Sequence, residues 1–279
     1  MKMAAVVLLF MPILALAQGA EGMEGISASV SPIEYYVNVY TASNGSDASS
    51  DNFMAFVHRM ESKRSAFRDD HEFISYLFRK THQKVLRFYK SQASFDELLD
   101  RGTYNCLTGT AVYAMLLSHF DLPYTIIETN YHIFILTETN RGRVLLEATD
   151  PIHGFSDEAT AIEKRIAGYR KNELAEMDPC KDYYRFSFDL YNEVTLDQLL
   201  GLLHYNLAIM NYNEGAILKA INHVDQALEL YNSPRIEEFT RVMQYSVVGS
   251  TLETTVKAFY VKKIQSLRKK RNQIMASTK

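Results

Sequence analysis

The chain has 279 residues, 47% hydrophobic and 23% charged, a balance that places it among globular proteins of one large domain or two ordinary ones. A formal charge of −3 supplies no basic face, so no nucleic-acid partner is expected. Beyond residue 17 no apolar stretch is long and pure enough to span a bilayer, which excludes a transmembrane segment after the leader.

The first residues read as that leader. Lys2 is a positive start, Val6 to Leu14 an apolar core, and Ala15-Leu16-Ala17 a small-x-small cleavage site. Residues 1–17 are therefore expected to be a signal peptide, with export to a periplasmic or extracellular location and a mature chain from Gln18. An uncleaved membrane anchor is the alternative, disfavoured because the run is short. No Cys follows it, so lipoprotein anchoring is not indicated.

Residues 18–50 read as a variable segment and linker, with Ile33 to Tyr40 as a strand and Thr41 to Ser50 as polar connection. From Asp51 the spacing of Phe53, Phe56, Val57 and Met60 predicts a helix. A second helix, capped by Asp69 or Asp70, buries Phe73, Ile74, Leu77 and Phe78 and continues through Val85, Leu86 and Phe88. Ser94-Phe95-Asp96-Glu97 is a capping box opening a short helix that ends before Gly102. Asn105 is a plausible N-cap for the next helix, which puts Cys106 in its first turn.

After Pro123 the period becomes two. Tyr124 to Glu128, Ile133 to Thr137 and Val144 to Ala148 read as strands, with Asn140-Arg141-Gly142 turning between the last two. Helices followed by antiparallel strands predict an α+β domain over residues 51–195. Within it, 156–180 is expected to be a charged helical excursion, and Tyr183 to Leu190 a further strand. Residues 196–279 are expected to be helical. Residues 201–234 follow the 34-residue tetratricopeptide pattern through Leu207, Ala208, Gly215, Ala220, Ala227 and Leu228, and further helices lie near 235–248 and 252–271.

The chemistry centres on Cys106. Cysteine attacks as its thiolate, which the positive end of a helix dipole stabilises, and a neighbouring imidazole completes the activation. His132 opens the second strand. Glu147 ends the partner strand, in Glu147-Ala148-Thr149-Asp150-Pro151, and can lie beside it to orient the ring. Strand parity favours Glu147, with Asp150 as the alternative orienting acid. Glu147 could instead pair with Arg141 or Arg143 across the hairpin.

Tyr104-Asn105-Cys106-Leu107-Thr108-Gly109-Thr110-Ala111, then Tyr131-His132, then Leu146-Glu147-Ala148-Thr149, resembles bacterial members of the transglutaminase-like superfamily, related to papain. The resemblance covers about residues 70–155. It implies N-terminal helices packed on an antiparallel sheet, a catalytic Cys106–His132–Glu147 triad, and acyl transfer on amide or peptide bonds through a thioester, without a cofactor. The family's usual Asp-x-Thr is here Glu147-Ala148-Thr149, and Phe134 is the nearest equivalent of the aromatic that follows the His. An oxyanion hole is expected from the Cys106 backbone N–H and a second donor, with Asn105 and Gln92 the first candidates.

Only two cysteines exist, so a Cys106–Cys180 disulfide is possible in an oxidising compartment, though a chain of this size needs no staple. The other seven histidines show no metal-ligand spacing, and no metal is expected. Lys262-Lys263 and Arg268 to Arg271 read as the solvated face of a last helix. The expected partner is a peptide or protein substrate, with a possible protein partner on the tetratricopeptide-like tail. The alternative is an inactive binding or scaffold module built on the same two parts.

Overall fold

The computed structural model describes residues 32–42, 49–171 and 188–277. The leader and its cleavage point, Cys180, and most of the strand expected at Tyr183 to Leu190 lie outside the described residues.

The segment expected as a strand at Ile33 to Tyr40 is a helix, α1 (Pro32–Ala42). Its apolar residues fit either period locally. Burial of Ile33, Val37 and Tyr40, at i, i+4 and i+7, selects the helical one. The Tyr40 hydroxyl donates to the Leu196 carbonyl at 2.7 Å, across 156 residues of chain.

Helix α2 (Asp51–Arg64) buries Phe53, Phe56, Val57 and Met60. Helix α3 (Asp70–Lys84) is capped by Asp69, whose carboxylate accepts from Glu72 N–H at 2.9 Å. It stops at Lys84, short of the expected continuation. Arg87 and Phe88 donate instead to the Gly102 carbonyl at 2.8 and 3.0 Å, which starts β1 (Phe88–Tyr89). The capping box of Ser94 and Glu97 opens α4 (Phe95–Arg101), and Gly102 ends it at φ 73°. Strand β2 (Thr103–Tyr104) pairs parallel with β1 and leads straight into α5 (Cys106–His119). Every residue of α5 from Thr108 to Leu117 is buried, as expected of a helix apolar on all sides.

The sheet comprises β3 (Tyr124–Thr129), β4 (Ile133–Thr139), β5 (Gly142–Leu146), β6 (Phe155–Ser156) and β7 (Tyr191–Val194). Its order is β6-β5-β4-β3-β7 and every pair is antiparallel, so the chain is α+β. Ile133, Ile135, Val144 and Leu146 join the core that α5 occupies. Ile127, Phe134 and Leu145 pack on the other face, beneath Ile162 of α6 (Ala159–Arg170). Strand β5 ends at Leu146 rather than Ala148, and the Glu147 N–H carries the β5–β6 register one step further, to the Gly154 carbonyl at 2.8 Å.

The C-terminal helices are α7 (Leu196–Asn213), α8 (Ile217–Leu230), α9 (Pro234–Gly249) and α10 (Thr254–Ser277). Helix α7 begins at a capping box of Thr195 and Gln198, five residues before the tetratricopeptide-like pattern at 201. Its first turns send Leu196, Leu199, Leu200, Leu202 and Leu203 into the core shared with α5. Tyr205 and Ala208, further along, join Ala220, Ile221 and Val224 of α8. One helix thus serves both hydrophobic cores, and the chain from Pro32 onward is a single compact unit. The basic cluster on α10 is only partly a solvated face. Lys270 reaches Asp225 and Glu229 of α8 at 2.5 and 2.9 Å, and Arg271 reaches Glu237 of α9 at 2.5 Å. Lys262, Lys263 and Lys269 are exposed.

Candidate active site

Asn105 makes the turn that delivers Cys106. Its side-chain oxygen accepts from Thr108 N–H at 2.9 Å, and its own N–H donates to the Thr108 hydroxyl at 3.0 Å, a reciprocal cap. Cys106 is then the first helical residue, a free, half-buried thiol facing a cleft.

His132 stands just before β4, in a tight turn from Thr129. The Thr129 N–H donates to the His132 carbonyl at 2.8 Å, and the His132 N–H returns to the Thr129 hydroxyl at 3.1 Å. Asn130 within the turn is held by Leu190 N–H at 2.7 Å and donates to the Phe188 carbonyl. The His132 ring hydrogen-bonds a Glu147 oxygen through Nε2, and it lines the same cleft as Cys106, whose side chain favours the charged ring. Continuing the β4–β5 register one step past Ile135↔Leu146 sets Glu147 opposite Phe134, two residues from His132 and on the same sheet face.

Glu147 is almost fully buried, and every lone-pair direction is engaged, as a buried charge requires. One oxygen accepts the Thr149 N–H at 2.9 Å and hydroxyl at 2.8 Å. The other accepts His132 and the Tyr169 hydroxyl, the latter at 3.1 Å. Burial by itself would raise this carboxyl, but His132 and the Thr149 hydrogen bonds hold it below the ordinary carboxylate value. For His132, burial opposes the imidazolium, yet the Glu147 charge and the Cys106 contact outweigh it and push its pKa up to about 10. Both directions favour the imidazolium–carboxylate form of the buried pair.

Asp150 is engaged elsewhere. It accepts from His153 N–H at 2.9 Å and pairs with Arg165 at 2.8 Å. Arg141 goes to Asp69 and Glu72, and Arg143 to Glu138, so neither reaches Glu147. Of the two oxyanion candidates, the Asn105 carboxamide lines the cleft but is consumed. Its oxygen is the helix cap, and its amide donates to the Ser91 and Ala93 carbonyls at 3.2 and 3.3 Å. Gln92 is exposed and outside the cleft.

The loop behind Glu147 depends on Gly154. A Cβ there would lie 2.2 Å from the Glu147 carbonyl oxygen and 2.3 Å from that of Asp150, both backbone atoms that cannot swing aside. Gly154→Ala is expected to lower stability by about 1–3 kcal/mol through overpacking, read as a lower urea midpoint at unchanged slope.

Several residues of the site carry no signal in the local sequence. Tyr169, on α6, lays its ring 4.6 Å from His132 and 4.9 Å from Phe134 while its hydroxyl holds Glu147. The cleft, of about 130 Å3, has one wall from the C-terminal helices: Leu202, Tyr205 and Asn206 of α7 and Arg235 of α9. The i, i+3, i+4 spacing of the α7 residues predicts one shared face, but not that it looks at Cys106. Arg235 pairs through Nε with buried Glu128 at 2.7 Å and donates to the Thr129 carbonyl. The Tyr231 hydroxyl gives Glu128 its second partner at 2.6 Å.

Among the described residues, no helix is long and apolar enough to cross a membrane. Compared with known proteins, the chain matches no family model, no curated protein and no solved structure.

Proposed function

We propose that the chain is an exported transglutaminase-like cysteine hydrolase, a peptidase or amidase that works by acyl transfer. The observation that carries this reading is the His132–Glu147 hydrogen bond beside the Cys106 thiol at the edge of a cleft. In the proposed reaction the Cys106 thiolate attacks an amide carbonyl. The His132 imidazolium then protonates the leaving amine, and the C–N bond breaks to leave a thioester on Cys106. Water, deprotonated by the now neutral imidazole, resolves the thioester to a carboxylic acid, which loses its proton to solvent, and the thiolate–imidazolium pair is restored. Glu147 orients the ring and balances its charge throughout. Hydrolysis is preferred over crosslinking because water needs no second-substrate pocket. Partners under this reading are peptides or proteins, met at the Cys106 cleft.

Thiol reactivity tests it directly. Cys106, followed by peptide mapping after iodoacetamide treatment, is expected to alkylate nearly as fast at pH 6 as at pH 8. A free cysteine thiol slows about a hundredfold over that interval. His132→Ala is expected to restore the steep dependence. A wild-type Cys106 that follows free cysteine across this range would refute the enzyme and leave the binding or scaffold module.

A further inference from the structure

Acyl transfer at Cys106 moves an electron pair onto the carbonyl oxygen, and that oxyanion needs two hydrogen-bond donors. The Cys106 backbone N–H is one. In the first turn of α5, Asn105 takes the Thr108 N–H through its side chain and the Gly109 N–H through its carbonyl. The N–H of the first helical residue has no partner within the helix and faces its open end. The second donor is not Asn105, whose amide is spent on two carbonyls, nor Gln92, which is off the cleft.

We propose that the second donor is Asn206 Nδ2, supplied by α7. This inference rests on the acyl-transfer reading and deepens it: the C-terminal helical layer becomes part of the catalytic site. Asn206 lines the same cleft as Cys106 and His132 and is half-exposed into it. Its amide touches the Ala93 carbonyl at 3.5 Å, the same oxygen that receives the Asn105 amide at 3.3 Å. Sharing one acceptor places Asn206 beside the cap that presents Cys106. A primary amide carries two hydrogens, and a contact at 3.5 Å holds one of them weakly, so the group turns to a reacting oxygen at little cost. Leu202 and Tyr205 flank it on the same helix face and line the same cleft. Asn206 also comes from a helix anchored in the core against α5, through Leu199, Leu202 and Leu203, which preorganises the donor.

The test compares two reactions of the same sulfur in the full chain. With p-nitrophenyl acetate, the thiolate forms a C–S bond and the carbonyl oxygen takes the electron pair. The intermediate then expels p-nitrophenolate, leaving acetyl thioester. With iodoacetamide, the thiolate displaces iodide at a saturated carbon and no oxyanion forms. Asn206→Ala and the bulkier Asn206→Leu are expected to slow acylation of Cys106 about a hundredfold and leave alkylation within about twofold of wild type. Acylation retained in both variants, or equal loss of both reactions, would overturn the assignment. So would a wild-type Cys106 that alkylates rapidly at pH 6 but acylates no faster than free cysteine, with the thiol reading left intact. A Cys106 inert to both reagents would instead remove the acyl-transfer reading and this inference with it.

Discussion

Glu147→Gln is expected to lower the rate of acyl transfer at Cys106 by about 10²–10⁴-fold at pH 7 while leaving the chain folded. A glutamine keeps one acceptor oxygen, which can still serve Thr149. Its amide nitrogen then faces His132 Nε2 and the Tyr169 hydroxyl, two groups that donate to Glu147 in the native chain. Without the carboxylate, burial dominates at His132 and favours the neutral ring, so the imidazolium that should protonate the leaving group is lost. Iodoacetamide alkylation of Cys106 at pH 6 reports the same loss without a substrate.

Stability gives a second measurement on the same pair. The folded pKa of His132 is raised, from 6.5 to about 10, so its contribution is complete below pH 6.5 and is lost as pH climbs to about 10. Glu147 is lowered from 4.5, so its contribution is complete above pH 4.5 and lost as pH falls toward the folded value. Thermal unfolding should show a plateau from the pair between these limits, declining on the alkaline side. In Glu147→Gln the alkaline decline should flatten. A variant whose Tm tracks wild type from pH 6 to pH 10 would show that the pair does not carry this linkage.

Arg235→Met is expected to cost about 3–5 kcal/mol, because it leaves the Glu128 carboxylate buried with its counter-charge removed. Tyr231 alone would then hold it, through one hydroxyl at 2.6 Å. That is a large share of the roughly 5–15 kcal/mol by which a domain is stable. Adding Glu128→Gln to the same chain removes the stranded charge and should recover most of the loss, a strong coupling in a double-mutant cycle read by urea unfolding. A single-variant cost below about 1 kcal/mol would class the pair with exposed salt bridges. The pair matters for the cleft as well. Arg235 ties α9 to the β3–β4 turn through the Thr129 carbonyl, and the other end of that turn is His132.

The sequence by itself determined the features that depend on neighbours a few residues away. Asp69, Ser94 and Asn105 announced helix starts because a cap needs only its own side chain and an N–H two or three residues on. The alternation through Ile133 to Thr137 announced β4, and the order Cys106, His132, Glu147 was legible because each sits at the end of such an element. Parity along β4 and β5 even separated Glu147 from Asp150, since side chains on paired strands alternate faces at fixed register.

Only the tertiary structure decided what lies across a gap in the chain. Ile33 to Tyr40 fits strand and helix alike, and its burial with the start of α7 made it a helix. Tyr169 reads as one aromatic in a charged helix until α6 lies over Phe134 and sets its hydroxyl on Glu147. Asn206 and Arg235 belong to a pattern that predicts helices packing on one another. Periodicity shows which face of a helix is buried but carries no information about the surface it meets. That surface includes Cys106, which a local reading could put at a helix start and only long-range packing could enclose in a cleft.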